Sequence, residues 1–146
     1  AADSTAPDGW FHDRCDESVR LHDLAGFTVI ELAAVDCAPC QGMASEEAAF
    51  EAQLGELDVQ VVTLLVPSLS DVFAQADAET LEAWSDTFSL DGPVLADRGW
   101  GYAVSVGAWG ELAYPAWFVV DPAGRLVGMG QGYTSWDAVA QVVRGG

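Results

Sequence analysis

Two apolar runs dominate the pattern of the chain. Phe27 to Val35 reads F-T-V-I-E-L-A-A-V and predicts a strand buried on both faces, as in a parallel sheet. Val59 to Val66, V-Q-V-V-T-L-L-V, is β-branched and predicts a second buried strand that Pro67 stops. Between them Met43, Phe50, Leu54 and Leu57 recur at seven, four and three residues, one face of a helix. Glu46, Glu47 and Glu51 are expected on its solvent side, and Gly55 at its end. Asp77 suits the N-cap of a second helix carrying Leu81, Trp84 and Phe88.

Further along, Val94-Leu95 predicts a short strand after the Gly92-Pro93 turn, and Trp100 to Val106 a short helix before a loop at Gly107 to Leu112. Ala113 to Val120 is a further strand candidate, and Asp121-Pro122-Ala123-Gly124 carries the residues of a tight turn. Arg125 to Met129 would return antiparallel. Thr134-Ser135-Trp136-Asp137 resembles a capping box ahead of a last helix that buries Trp136, Val139 and Val143. At the other end, residues 1–18 show no period and are expected to form an irregular arm, with residues 19–146 as the domain proper. Val19 and Leu21 alternate with polar neighbours and predict a short edge strand. The order β-α-β-α-β-β-α predicts an α/β fold: a mixed sheet flanked by helices.

Charge narrows the partners. The chain has 146 residues, 23 of them acidic against five basic, for a formal charge of −18. Phosphate backbones and anionic lipid heads would repel it, so nucleic acid and membrane surfaces are not expected partners. No apolar run approaches the roughly 18 residues of a membrane helix, so no membrane insertion is expected. No signal peptide is visible, and Ala1 to Pro7 reads as a loose N-terminus.

The chemistry concentrates at Asp36-Cys37-Ala38-Pro39-Cys40, between the first apolar run and the first helix. A helix entrance offers unpaired N–H groups and a positive dipole end, both of which favour a thiolate. Cys37 should be exposed there, and Cys40, one turn inside, more buried. Other readings of the pair are a static disulfide or a metal half-site; His12-x-x-Cys15 with Cys37-x-x-Cys40 would supply four zinc ligands. Cys15 leaves an odd thiol, read as free and structural. Glu31 breaks the first strand; it either reaches solvent or is a buried proton carrier. Asp36 either opposes thiolate formation or points to water.

These residues resemble the thioredoxin superfamily, and within it the TlpA-like and ResA-like bacterial thiol–disulfide oxidoreductases. Three features carry the resemblance: L-H-D-L-A-G (Leu21 to Gly26) leading into Phe27 to Val35 and the C-A-P-C motif; Tyr114-Pro115 before a strand; and W-F-V-V-D-P-A-G-R-L-V from Trp117 to Val127. It covers roughly residues 19–144.

The resemblance implies a thioredoxin fold with an N-terminal extension and an insertion before the hairpin that follows a cis-proline, Pro115. It implies that Cys37 is the nucleophile and Cys40 the resolving thiol. Glu31 would be the buried acid that takes the proton of Cys40, and Tyr114, Pro115, Ala38 and Pro39 would contact the substrate. No cofactor and no metal is implied. The partners would be proteins with disulfides or thiols and an upstream thiol donor. The location would be extracytoplasmic, periplasmic or secreted, with the signal segment absent from this sequence.

Two departures bear on potential and substrate range. The family usually has tryptophan before the first cysteine, where this chain has Asp36, and often an aromatic residue shortly before that, where it has Ala33 and Ala34. A reductase is expected. Its alternatives are a non-enzymatic binding module of the same fold and a peroxiredoxin-like peroxidase. The peroxidase is disfavoured because Ala34 stands where that class wants threonine or serine.

Overall fold

The computed structural model describes residues 6, 10–71, 74–96 and 113–145. The strands are β1 (Trp10–His12), β2 (Ser18–Arg20), β3 (Phe27–Ala34), β4 (Val59–Val66), β5 (Val94–Ala96), β6 (Ala116–Val120) and β7 (Leu126–Gln131). The helices are α1 (Ala38–Gln53), α2 (Ala78–Phe88) and α3 (Trp136–Val143), with a 3-10 turn at Leu21–Asp23. They build a seven-stranded mixed sheet of order β2-β1-β5-β4-β3-β6-β7. The centre, β5-β4-β3, is parallel; β6 and β7 add antiparallel on one side, β1 and β2 on the other.

The two apolar runs lie side by side from Phe27↔Val59 to Ala34↔Val66. They are central because neither offers a polar face to water: from Thr28 to Ala34 and from Val61 to Val66 every residue is buried. One sheet face packs Ile30, Leu32, Val62, Leu64 and Phe118 against Phe11 and Leu21. The other face takes the helices. Val29, Val61 and Val119 meet Met43 and Phe50 of α1 and Val139 of α3. Ala33 and Leu65 meet Cys40 and Ala44 of α1 and Leu81 and Trp84 of α2.

Two expectations change. Residues 10–12 are not irregular: Phe11 pairs with Val19, and His12 with Ala96, so the arm extends the sheet. A strand of three residues is too short for its alternation to stand out. The first helix begins at the C-A-P-C motif, as expected: it starts at Ala38, five residues before its first large apolar residue, and Pro39 in its first turn needs no hydrogen bond from its nitrogen. The last helix is capped by Ser135, which accepts from Asp137 N–H, rather than by Thr134, whose hydroxyl donates to the Gly132 carbonyl. Asp77 caps α2 as expected, accepting from Thr80 N–H at 2.8 Å. The expected helix at Trp100 to Val106, the loop at Gly107 to Leu112 and the insertion before the hairpin lie outside the described residues.

Candidate active site

Strand β3 ends at Ala34, and the chain turns through Val35 and Asp36 into α1. Cys37 N–H donates to the Ala34 carbonyl, and the Gln41 side chain donates to the Val35 carbonyl at 2.9 Å. Cys37 is the N-cap of α1, where its sulfur accepts from Cys40 N–H at 3.2 Å. One of the orphan donors of the first turn is thus already spent on sulfur. Cys37 and Cys40 form a disulfide with their Cα atoms 5.2 Å apart.

Cys40 is buried, as expected. Cys37 is not exposed: it is 1% accessible. In the oxidised pair the Cys37 sulfur turns inward, and both cysteines belong to one apolar cluster with Ala33, Ala34, Ala44 and Leu65. Ala38 and Pro39 remain exposed on the first turn.

The Tyr114–Pro115 peptide is cis. Tyr114 packs against the cluster that holds both cysteines, so the structure brings the prolyl loop and the C-A-P-C motif together. Pro115 is buried, and its carbonyl accepts from Gly132 N–H at 2.7 Å. Beside the motif an open groove of about 600 Å³ runs along α2, lined by apolar Val35, Trp84 and Phe88 and by polar Gln41, Asp77 and Glu79 among others.

Glu31 does not reach solvent. It is 1% accessible, between Thr63 of β4 and Trp117 of β6, and neither carboxyl oxygen has a hydrogen-bond partner among the described residues. Burial alone pushes its pKa up to about 8. Asp36 is exposed but does not simply point to water. It accepts from the Ser68 hydroxyl at 2.6 Å and from Leu69 N–H at 2.8 Å, and these bonds hold its pKa below the usual carboxylate value. It is therefore a fixed negative charge next to Cys37.

Glu47 was expected on the solvent side of α1; it is 1% accessible instead. Burial first, then the charges of Glu31, Glu51 and Asp91, push its pKa up to about 9. Alanines at 44, 48, 49 and 52 blur the apolar face of this helix, so the pattern gave no signal for Glu47. Cys15 is exposed and free, and His12 pairs with Asp16. No group of three or more possible metal ligands occurs among the described residues, so His12 and Cys15 do not join the cysteine pair in a zinc site.

The Redoxin family model matches residues 1–144. No curated protein sequence matches the chain. Solved structures share the fold at low identity. A DsbF homologue from Corynebacterium diphtheriae aligns with TM-score 0.79 and 17% identity over 97% of this chain and 85% of its own. A secreted Mycobacterium tuberculosis disulfide oxidoreductase homologous to Escherichia coli DsbE aligns with TM-score 0.72 and 13% identity over 94% of this chain and 95% of its own. The peroxidoxin BcpB of Mycobacterium tuberculosis aligns with TM-score 0.75 and 18% identity over 98% and 96%.

Proposed function

The chain belongs to the Redoxin family, and we propose that within it the protein is a thiol–disulfide oxidoreductase that works as a reductant. One observation carries this reading: a disulfide at the entrance of α1, packed against the loop of Tyr114 and Pro115. In the reducing direction Cys37 thiolate attacks a client disulfide; the client S–S bond breaks, a mixed disulfide forms on Cys37, and the first client thiolate leaves and takes a proton from water. Cys40 loses its proton to Glu31 and attacks the Cys37 sulfur, and the second client thiolate leaves and takes a proton from water. The client gains two electrons, the Cys37–Cys40 disulfide forms again, and a donor dithiol restores the reduced pair.

Asp36 supports the direction. A strongly oxidising pair depends on a stabilised thiolate, and a fixed carboxylate beside Cys37 works against one. Ala38, Pro39, Tyr114 and Pro115 are the surface on which the client disulfide would lie. The location read for this activity is extracytoplasmic, in keeping with the Mycobacterium tuberculosis neighbour described as secreted. No helix among the described residues is long and apolar enough to cross a membrane.

The test is dithiothreitol-driven reduction of insulin disulfides by the wild type, Cys37→Ser and Cys40→Ser. Turnover by the wild type alone supports the assignment. A wild type no faster than dithiothreitol alone would sink it and leave a binding module of this fold. The peroxidoxin neighbour calls for a parallel peroxide assay; Ala34, three residues before Cys37, argues for no activity there.

A further inference from the structure

Glu47 is a buried ionisable group that the exchange reaction described above does not use. Its place follows from the packing of α1 on β3. On one face of β3, Val29 meets Met43 and Phe50, and Ala33 meets Cys40 and Ala44. Glu31 lies between Val29 and Ala33 on that same face, because side chains alternate along a strand. Glu47 lies between Ala44 and Phe50 on the inner face of α1, two turns beyond Cys40. The two carboxyls therefore occupy the same stretch of the helix–sheet interface, and the charge of Glu31 acts on Glu47.

Among the described residues no cation is placed against them. Both Glu31 oxygens and Glu47 Oε1 have no hydrogen-bond partner among the described residues. The chain contains no lysine. Arg14 pairs with Asp86, Arg20 lies over Trp10, and Arg125 and Arg144 are exposed. No metal-holding cluster occurs among the described residues. Two bare carboxylates at this depth would each cost several kcal/mol, so at least one proton must stay with the pair.

A way out is visible. Glu51, one turn past Glu47, is half-buried and accepts from Val61 N–H. Its free Oε1 reaches the Gly92 turn, 3.8 Å from where a Cβ on Gly92 would stand, and exposed Asp91 lies on that turn. The groups facing Glu47 are thus Glu31 from β3, Glu51 from its own helix and Asp91 from the turn before β5. Strand β6 and helix α3 contribute Trp117, Val119, Trp136, Val139 and Val143 to this region, none of which titrates.

We propose that Glu31 and Glu47 form one coupled buried carboxyl pair beneath α1, in which ionising either carboxyl opposes ionising the other, and that Glu47 links Glu31 to solvent through Glu51 and Asp91. The role given to Glu31 rests on the proposed exchange reaction; the pairing itself does not. Between the two titration steps of the pair Glu31 is ionised while Glu47 holds its proton; in that form Glu31 takes the proton of Cys40 when Cys40 attacks the Cys37–client disulfide. The pair then carries two protons, and one leaves by Glu47 and Glu51 as the site resets. When a donor dithiol reduces the disulfide again, it supplies two electrons and is itself oxidised to a disulfide; Cys37 returns as thiolate, and the one proton that Cys40 needs retraces that route.

The test is a pH titration of the protonated-carboxyl infrared band in the oxidised wild type, Glu31→Gln and Glu47→Gln. It reads the pair whether or not the protein turns over, so its failure is distinct from failure of the exchange assay. Two steps above the ordinary carboxylate range are expected in the wild type. In Glu31→Gln the remaining step should fall by about one pH unit or more, because its charged neighbour is gone. In Glu47→Gln only the lower step should survive. A Glu47 step unmoved by Glu31→Gln overturns the pairing. Where Glu31→Gln fails to fold, an upper step that persists in Glu47→Gln overturns it equally. The proton route is read separately, from the pH profile of the resolving step in Glu51→Gln. A profile identical to that of the wild type excludes that route.

Discussion

The Asp36 carboxylate holds the Ser68 hydroxyl at 2.6 Å across 32 positions of sequence, and with the same group it holds Leu69 N–H at 2.8 Å. The residue before Cys37 is thus clamped to the loop that follows β4. Both bonds favour the ionised form, so the clamp fixes a negative charge beside Cys37.

Removing that charge should make the pair more oxidising. Asp36→Asn keeps the shape and still accepts hydrogen bonds, but no longer repels a thiolate on Cys37. The Cys37 thiol should titrate at lower pH, and the midpoint potential should become less negative. A tenfold change in the exchange constant is about 30 mV, which is the scale expected. Glutathione redox equilibria of the two proteins measure it. An unchanged or more negative potential in the variant would refute the electrostatic role and leave Asp36 as a clamp only.

Stability should depend on pH in a direction set by Glu31 and Glu47. Both keep protons in the fold above pH 4.5, where the unfolded residue releases them. From about pH 4.5 to 8–9 the folded chain therefore binds more protons than the unfolded one. Their contribution to stability is complete below that window and falls as pH rises through it, by at most about 1.4 kcal/mol per pH unit per group. Glu31→Gln and Glu47→Gln should each flatten part of this slope. Urea midpoints between about pH 5 and pH 8 check it. Variants that lose stability as steeply as the wild type would show that these carboxyls are ionised or solvated in the fold.

Much of this was legible because it is local. β4 and β3 stood out as apolar runs, Asp77 as a cap, and C-A-P-C as a pair of thiols at a strand-to-helix junction. What escaped depends on contacts distant in sequence. Nothing in D-C-A-P-C points to Ser68. Nor does anything in M-A-S-E-E-A-A-F tell Glu46, which accepts from the Tyr133 hydroxyl at the surface, from Glu47, which α1 presses against the sheet. Nor does the C-A-P-C pattern show that Cys37 is buried: the apolar cluster that covers it includes Leu65, Leu81 and Trp84 from distant segments.

The three thiols should separate by reactivity. Cys15 is exposed and free, so iodoacetamide should label one thiol in the oxidised protein and three after reduction. Cys40→Ser should accumulate a mixed disulfide on Cys37, because the resolving sulfur is gone. Mass spectrometry of the trapped adduct reads both. Labelling of Cys37 before reduction, or an adduct on Cys40 in Cys37→Ser that turns over normally, would reverse the assigned roles.

Trp136 ties α3 to α1 independently of the redox pair. Its indole N–H donates to the Met43 carbonyl at 2.9 Å, and its ring stacks on Phe50 with centroids 4.5 Å apart. Trp136→Phe keeps an aromatic ring but deletes the donor and leaves a small void. It should cost about 1–3 kcal/mol, the range for losing a buried hydrogen bond together with part of a packed ring. Because Met43 is one turn from Cys40 on the same buried face, looser packing there should also raise amide exchange across the first two turns of α1. The redox potential should stay unchanged, since no charge near Cys37 is altered. Hydrogen exchange and urea unfolding measure the first two effects. Protection of α1 equal to that of the wild type would mean that the sheet alone holds this helix in place.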